Sequence, residues 1–296
     1  MTWYFFALTA AVFFAIYFLI FHKYIHREHA VEYLAIMSIF LVLFSFPLTK
    51  DVTFNLNSLT WALIYLISLL LTVFFYFIAL SFKHLESSEA VPFMNISLLF
   101  VIILSVVFLK EIVTLSNLLG VGLMIIGSYI LEVGIKIDKI KKVIKRFKRK
   151  YILYTLVATI AASIVIIFEK ILLNPEVVGM SIEPVSPASL YFLTRSGMAL
   201  NFLLILFARK HSFTGINHAL NTMILPIIVT AIFNIAANYT HYLALQTGQV
   251  SLVAPISALS SLIVIIIGGE LFHEHKLKQK MIAALLMIIA TYLIIL

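Results

Sequence analysis

The stretch Leu66–Leu80 reads LISLLLTVFFYFIAL, fifteen residues without a charge, and runs of this kind recur along the whole chain. Such runs constrain the fold more than any other feature. A helix needs about 20 mostly apolar residues to cross the hydrocarbon core of a bilayer. A membrane β-barrel would alternate apolar and polar positions in short strands. Here the apolar stretches are continuous, as also in SLIVIII at Ser261–Ile267. Backbone groups in lipid must satisfy their own hydrogen bonds, so continuous runs imply helices. Composition agrees: 63% of the residues are hydrophobic, 11% are charged, and mean hydropathy is +1.11. Soluble domains carry roughly 25% charge. The expected class is an all-α integral membrane protein.

Hydropathy divides the chain into ten spans. They cover 3–21, 30–48, 59–82, 90–109 and 113–133 in the first half, and 151–173, 187–208, 221–245, 250–272 and 276–295 in the second. The opening MTWYFFALTA has no basic n-region or small-residue cleavage site and reads as the first span. Between the halves lies IKIDKIKKVIKRFKRK, residues 135–150, with nine of the 21 Lys and Arg residues. Assigning loops alternately to the two sides puts 17 basic residues on one side and only Lys50, Lys110 and Lys170 on the other, with Arg195 inside a span. Basic loops stay cytoplasmic. The expected location is the cell membrane, multi-pass, with both termini outside and the central basic linker cytoplasmic. Ile140, Val143, Ile144 and Phe147 recur in that linker at helical spacing, which suits an amphipathic helix on the inner leaflet as well as a plain topology signal.

The halves repeat. A constant shift of 163 carries Pro92 to Pro255, Ser97 to Ser260, Glu111 to Glu274 and Tyr129 to Tyr292. Upstream, FIALSF at Phe77 matches YLALQT at Tyr242 after a two-residue gap, which pairs Tyr76 with His241. Five spans per half force the second half to enter the membrane inverted, a plan common among secondary transporters. The expected organisation is a first five-helix repeat over 1–134, a linker over 135–150 and a second five-helix repeat over 151–296.

The segment QTGQVSLVAPISALSSLIVIIIGGELFHEHKL, starting at Gln246, resembles the end of an EamA-like domain of the drug/metabolite transporter superfamily. It has a VAP helix start, a long apolar span, a Glu nineteen residues after the Pro and a small residue nine further on. Pro255, Glu274 and Ala283 fit, as do Pro92, Glu111 and Gly120. The chain departs from the pattern at Ser97 and Ser260, where a second Pro is frequent, and at Lys110 and His273, where Gly often precedes the Glu. The resemblance implies ten spans and transport of small metabolites, amino acids included, without ATP hydrolysis.

Four residues stand out as candidates for binding substrate. Arg195 lies about eight residues, roughly 12 Å, into span seven. A buried Arg costs about 2.5–3.5 kcal/mol on insertion scales and so faces a cavity or a partner. It can grip a carboxylate or phosphate, or it can pair with Glu169 or snorkel outward. Asn234, Asn238 and His241 recur at i, i+4 and i+7 on span eight and share a face. That face can bind a polar solute or hydrogen-bond neighbouring helices. His241 is also a candidate carrier of a coupling proton. Tyr76 opposite, with Asn95 and Ser257 on spans four and nine, completes the expected set. Glu111 and Glu274 read as structural caps at helix starts. Pro92 and Pro255 read as helix starts or as gating bends. Gly120, Gly122 and Gly127 with Ala283, Ala284 and Ala290 read as close helix packing.

The chain has no GxxxxGK phosphate loop and no nucleophile elbow. HEHK at His273 is not HExxH, and the chain contains no Cys, so neither a metal nor a cofactor is expected. The expected function is secondary transport, as an exporter, of small polar metabolites such as amino acids. The expected partners are that metabolite and the lipid bilayer, with a proton as candidate coupling ion, a homodimer as candidate assembly and no nucleic acid. The rival classes are an intramembrane lipid-handling protein or enzyme, and a receptor without transport.

Overall fold

The computed structural model describes residues 2–25, 30–84, 94, 96–133, 150–179, 182–208, 213–264 and 277–295. Asn95, Pro92, Glu274 and the linker up to Arg149 lie outside them. The described residues form ten α-helices and no strand: α1 (Trp3–Ile25), α2 (Ala30–Ser45), α3 (Ser58–Phe82), α4 (Ser97–Leu109), α5 (Leu115–Val133), α6 (Lys150–Leu173), α7 (Pro187–Ala208), α8 (Phe213–Thr247), α9 (Val250–Ser257) and α10 (Leu277–Ile295). Stretches of α1, α3, α6, α7 and α8, together with Val31–Lys50, are long and apolar enough to cross a membrane. Ser97–Leu109, Leu115–Ile130, Val250–Val264 and Ile282–Ile295 are shorter apolar helices. Exposed Leu, Ile, Phe and Val side chains are frequent on the outside, as a lipid-facing surface requires.

Three elements differ from hydropathy. The second span passes at Phe46 into a 3-10 turn, Phe46–Asp51, because Pro47 cannot donate to the α ladder. The α8 helix starts eight residues ahead of the expected span, running through the polar HALN, and carries Pro226 inside it. The ninth span breaks: α9 ends at Ser257, Ala258 and Leu259 form a turn, and helix resumes at Ser260. Pro255 therefore lies inside a helix just before a break, instead of at a helix start. The same pattern stands 163 residues earlier, with Met94 helical, Ile96 in a turn and helix from Ser97.

Helix packing is paired across the two halves. The α1 helix packs on α8 and α3 on α6; α2 packs on α8 and α3 on α7; α1 packs on α9 and α4 on α6. The α2 and α7 helices face each other, as do α5 and α10. This last pair is close because its contact residues are small. A Cβ at Gly120 would stand 2.8 Å from the Ala290 carbonyl oxygen, and one at Gly127 would stand 2.7 Å from Met287 Cγ. Gly122 faces open space, so it has no part in that seam. Asn117 on α5 donates to the Ile294 carbonyl at 3.1 Å and ties the pair at one end.

That same end carries a charged clamp on the turn between α8 and α9. Lys170 Nζ donates to the carbonyls of Leu245 (2.6 Å) and Gly248 (3.0 Å), which end α8. Glu111 accepts from the N–H groups of Val250 (2.6 Å) and Ser251 (2.9 Å), which begin α9. A cation on a helix C-terminus and an anion on a helix N-terminus each match the helix dipole. Glu111 is a cap, as its position suggested, but it caps a helix of the other half.

Candidate substrate-binding site

The polar centre is built by α7 and α8. Ser186 Oγ accepts from the Ser189 N–H at 3.1 Å and Pro187 opens the helix, which sets the register of α7. Tyr191 and Arg195, four residues apart, then face inward, 0% and 2% exposed. Asn234 and Asn238, also four apart, face them from α8 and are buried. The two pairs interlock. The Tyr191 hydroxyl donates to Asn234 Oδ1 at 2.9 Å, and Arg195 Nη2 donates to Asn238 Oδ1 at 2.9 Å. Asn238 Nδ2 donates back to the Asn234 carbonyl at 2.8 Å and to its Oδ1 at 3.1 Å, so the amide orientations are fixed by the network.

Aromatic rings complete the guanidinium's surroundings. Its Cζ lies 5.1 Å from the Tyr191 ring centre and 5.9 Å from that of Phe75 on α3. Such contacts favour a desolvated cation. They leave its donors unfilled, for Arg195 Nε and Nη1 are buried and have no hydrogen-bond partner among the described residues. Tyr17 on α1, within electrostatic reach of Arg195 and Asn234, has a buried hydroxyl that is also unpartnered. Glu169 on α6 does not fill the gap. Its Oε1 takes the Tyr242 hydroxyl at 2.8 Å, and it makes no ion pair with Arg195. The direct Arg195–Glu169 pair, one of the two alternatives for this arginine, is not formed.

The other expected site residues divide. His241 lies on the same face of α8, with Nδ1 hydrogen-bonded to Ser257 Oγ at 3.0 Å and its ring edge-on to Phe14 at 5.8 Å. His241 and Ser257 therefore meet each other, at the break in span nine, and neither hydrogen-bonds to Arg195. Tyr76 follows Phe75 by one residue, so it points about 100° around the helix from the ring under Arg195. It is half-buried, with its ring 5.4 Å from that of Phe77. Asn95 lies outside the described residues. Sequence reasoning missed Tyr17, Phe75, Tyr191 and Tyr242. In a chain with 14% aromatic residues, four more rings on apolar helices carry no signal. The one available clue was Tyr191 four residues before Arg195.

The EamA-like transporter family model matches residues 1–133 and 149–296. Over 53 residues, 18% of this chain, the sequence is 42% identical to the probable 4-amino-4-deoxy-L-arabinose-phosphoundecaprenol flippase subunit ArnE of Hamiltonella defensa subsp. Acyrthosiphon pisum. That match spans 48% of the relative, about half its length. A crystal structure of a protein with 13% sequence identity shares the fold, with TM-score 0.72 over 99% of this chain and 96% of the other. The helices are those of a multi-pass membrane protein, and the family match extends over both halves: the chain belongs to the EamA-like transporter family.

Proposed function

We propose that the chain is a secondary transporter, working as an exporter, of small polar metabolites such as amino acids. Arg195, Asn234 and Asn238 bind the solute, and His241 with Ser257 lines the path one helical turn away. Two inverted five-helix repeats, 1–134 and 151–296, rock about this site to expose it alternately. The crosswise exchange of packing partners between the halves supports that symmetry. So do the two helix interruptions 163 residues apart, since broken helices flank midplane sites in transporters of this plan.

The observation that carries the reading is the pair of buried, unpartnered N–H donors on Arg195. A buried charge needs a counter-charge, and unmade hydrogen bonds in a dry site are costly. A carboxylate or phosphate on the solute supplies both, accepting from Nε or from Nη1. The test is flux in sealed proteoliposomes, with a labelled panel of amino acids and metabolites, with and without an imposed proton gradient. Saturable flux is expected for at least one carboxylate-bearing solute. Arg195→Ala should reduce it roughly 30-fold or more, as removal of one partner from a buried charged contact does. Flux that persists in this variant would take Arg195 out of the site.

A second reading has one observation in its favour, the local match to a probable flippase subunit for a lipid-linked sugar. On that reading Arg195 meets the phosphate of a lipid headgroup. The same liposomes discriminate: a lipid substrate would change leaflet with no soluble solute crossing.

A further inference from the structure

Glu169 is a second buried ionisable group without a charged partner among the described residues. It is 5% exposed on α6, and among the described residues its one hydrogen bond is that which Oε1 accepts from Tyr242. Its neighbour Lys170 is committed to the carbonyls of Leu245 and Gly248. Arg195 is near enough to act on Glu169 electrostatically but makes no ion pair with it. Between the two charges stand Tyr242, bonded to the carboxylate, and Tyr191, stacked on the guanidinium, with ring centres 6.5 Å apart. The fold thus holds a carboxyl group and a guanidinium in one buried region, each bonded to another partner and not to each other.

Direct contact would be the ordinary resolution, because isolated buried charges are expensive and a close pair is less so. A solute with an ammonium and a carboxylate a few bonds apart resolves both at once. Its carboxylate accepts from Arg195 Nε or Nη1. Its ammonium donates to Glu169 Oε2, for which no hydrogen bond is formed among the described residues. We propose that Glu169 and Arg195 are the two poles of a zwitterion site, with Glu169 recognising the ammonium group of the solute. Tyr242 positions the carboxylate by holding Oε1. This rests on the transporter reading above and adds a specificity-determining residue to it: carriers of simple anions would have no use for Glu169.

Counterflow in proteoliposomes tests the idea with three probes built on one amino acid: the free amino acid, its N-acetyl form, which loses the ammonium, and its methyl amide, which loses the carboxylate. Wild-type protein should favour the free amino acid over either derivative by roughly 30-fold or more. Glu169→Gln keeps the shape and should collapse the preference over the N-acetyl form to about 3-fold or less. Arg195→Gln should collapse the preference over the amide in the same way. Equal wild-type transport of the free and N-acetyl forms would overturn the role of Glu169 without using any variant, and would leave the Arg195 reading standing. So would a Glu169→Gln protein, monodisperse in detergent, that keeps the wild-type ratio. Failure of wild-type protein to move any of the probes or any other soluble solute would remove the transporter reading itself, and the zwitterion site with it.

Discussion

Arg195 is held by one hydrogen bond and two aromatic faces, and that bond is where the site is most easily broken. Asn238→Leu removes the acceptor on Nη2 and leaves the whole guanidinium unpaired. The expected cost is about 2 kcal/mol of stability, the penalty for stranding a buried group of this kind. It should appear as a lower melting temperature in detergent, together with a raised KM for flux. An unchanged melting temperature would mean that the guanidinium finds another acceptor. The sequence made part of this arrangement legible. A charge inside an apolar span and two amides one turn apart are rare enough to notice, and the structure brings Arg195, Asn234 and Asn238 together. It does the same for His241 and Ser257, a pair that spacing could not have joined because they lie on different helices. Tyr76 was placed by analogy between the halves. A one-residue offset on a helix turns a side chain to another face, and such an offset is invisible without coordinates. The aromatic wall went unseen because rings are everywhere in this chain.

Most helices were readable to within a few residues, the early start of α8 and the break in the ninth span apart, since a bilayer imposes a length and an apolar content that hydropathy measures directly. Hydropathy is blind to backbone, and every departure lies where backbone decides. Pro47 ends α2 early, and α9 stops at Ser257 in an apolar stretch with no polar residue to announce it beyond three serines. The clamp at the other end of α9 shows how such a short element is kept. Glu111 satisfies two of its four free N–H groups at once. Glu111→Ala should therefore destabilise the protein by about 1–2 kcal/mol, in the range of a lost N-cap. Glu111→Gln should recover part of that, since the amide oxygen can still accept one bond. Thermal melting of the three proteins side by side gives the order wild type, Gln, Ala; equal values for Gln and Ala would mean that charge, and not the hydrogen bond, does the capping.

At the scale of the whole molecule, the lateral order of the helices was not legible, because a repeat in sequence does not say which faces meet. The contacts supply it, and they gather Trp3, Glu111, Lys170 and Gly248 at one end, with Ser81 and Tyr151 at the other. The distribution of Lys and Arg leads to the expectation that the first end faces outward and the second the cytoplasm. The chain contains no Cys, so single cysteines report directly. Lys50→Cys and Lys110→Cys should react with an impermeant maleimide on intact cells, and Lys83→Cys only after permeabilisation. The reverse pattern would invert the orientation throughout. The α5–α10 pair has a different consequence. Its inner faces are consumed by each other through Gly120, Gly127, Ala283 and Ala290, and its outer faces present Leu118, Leu119, Ile126, Leu285 and Ile288 to lipid. The fifth member of each half is expected to be ballast: substitutions in this seam should change how much protein matures and endures, and leave what the folded protein carries unchanged.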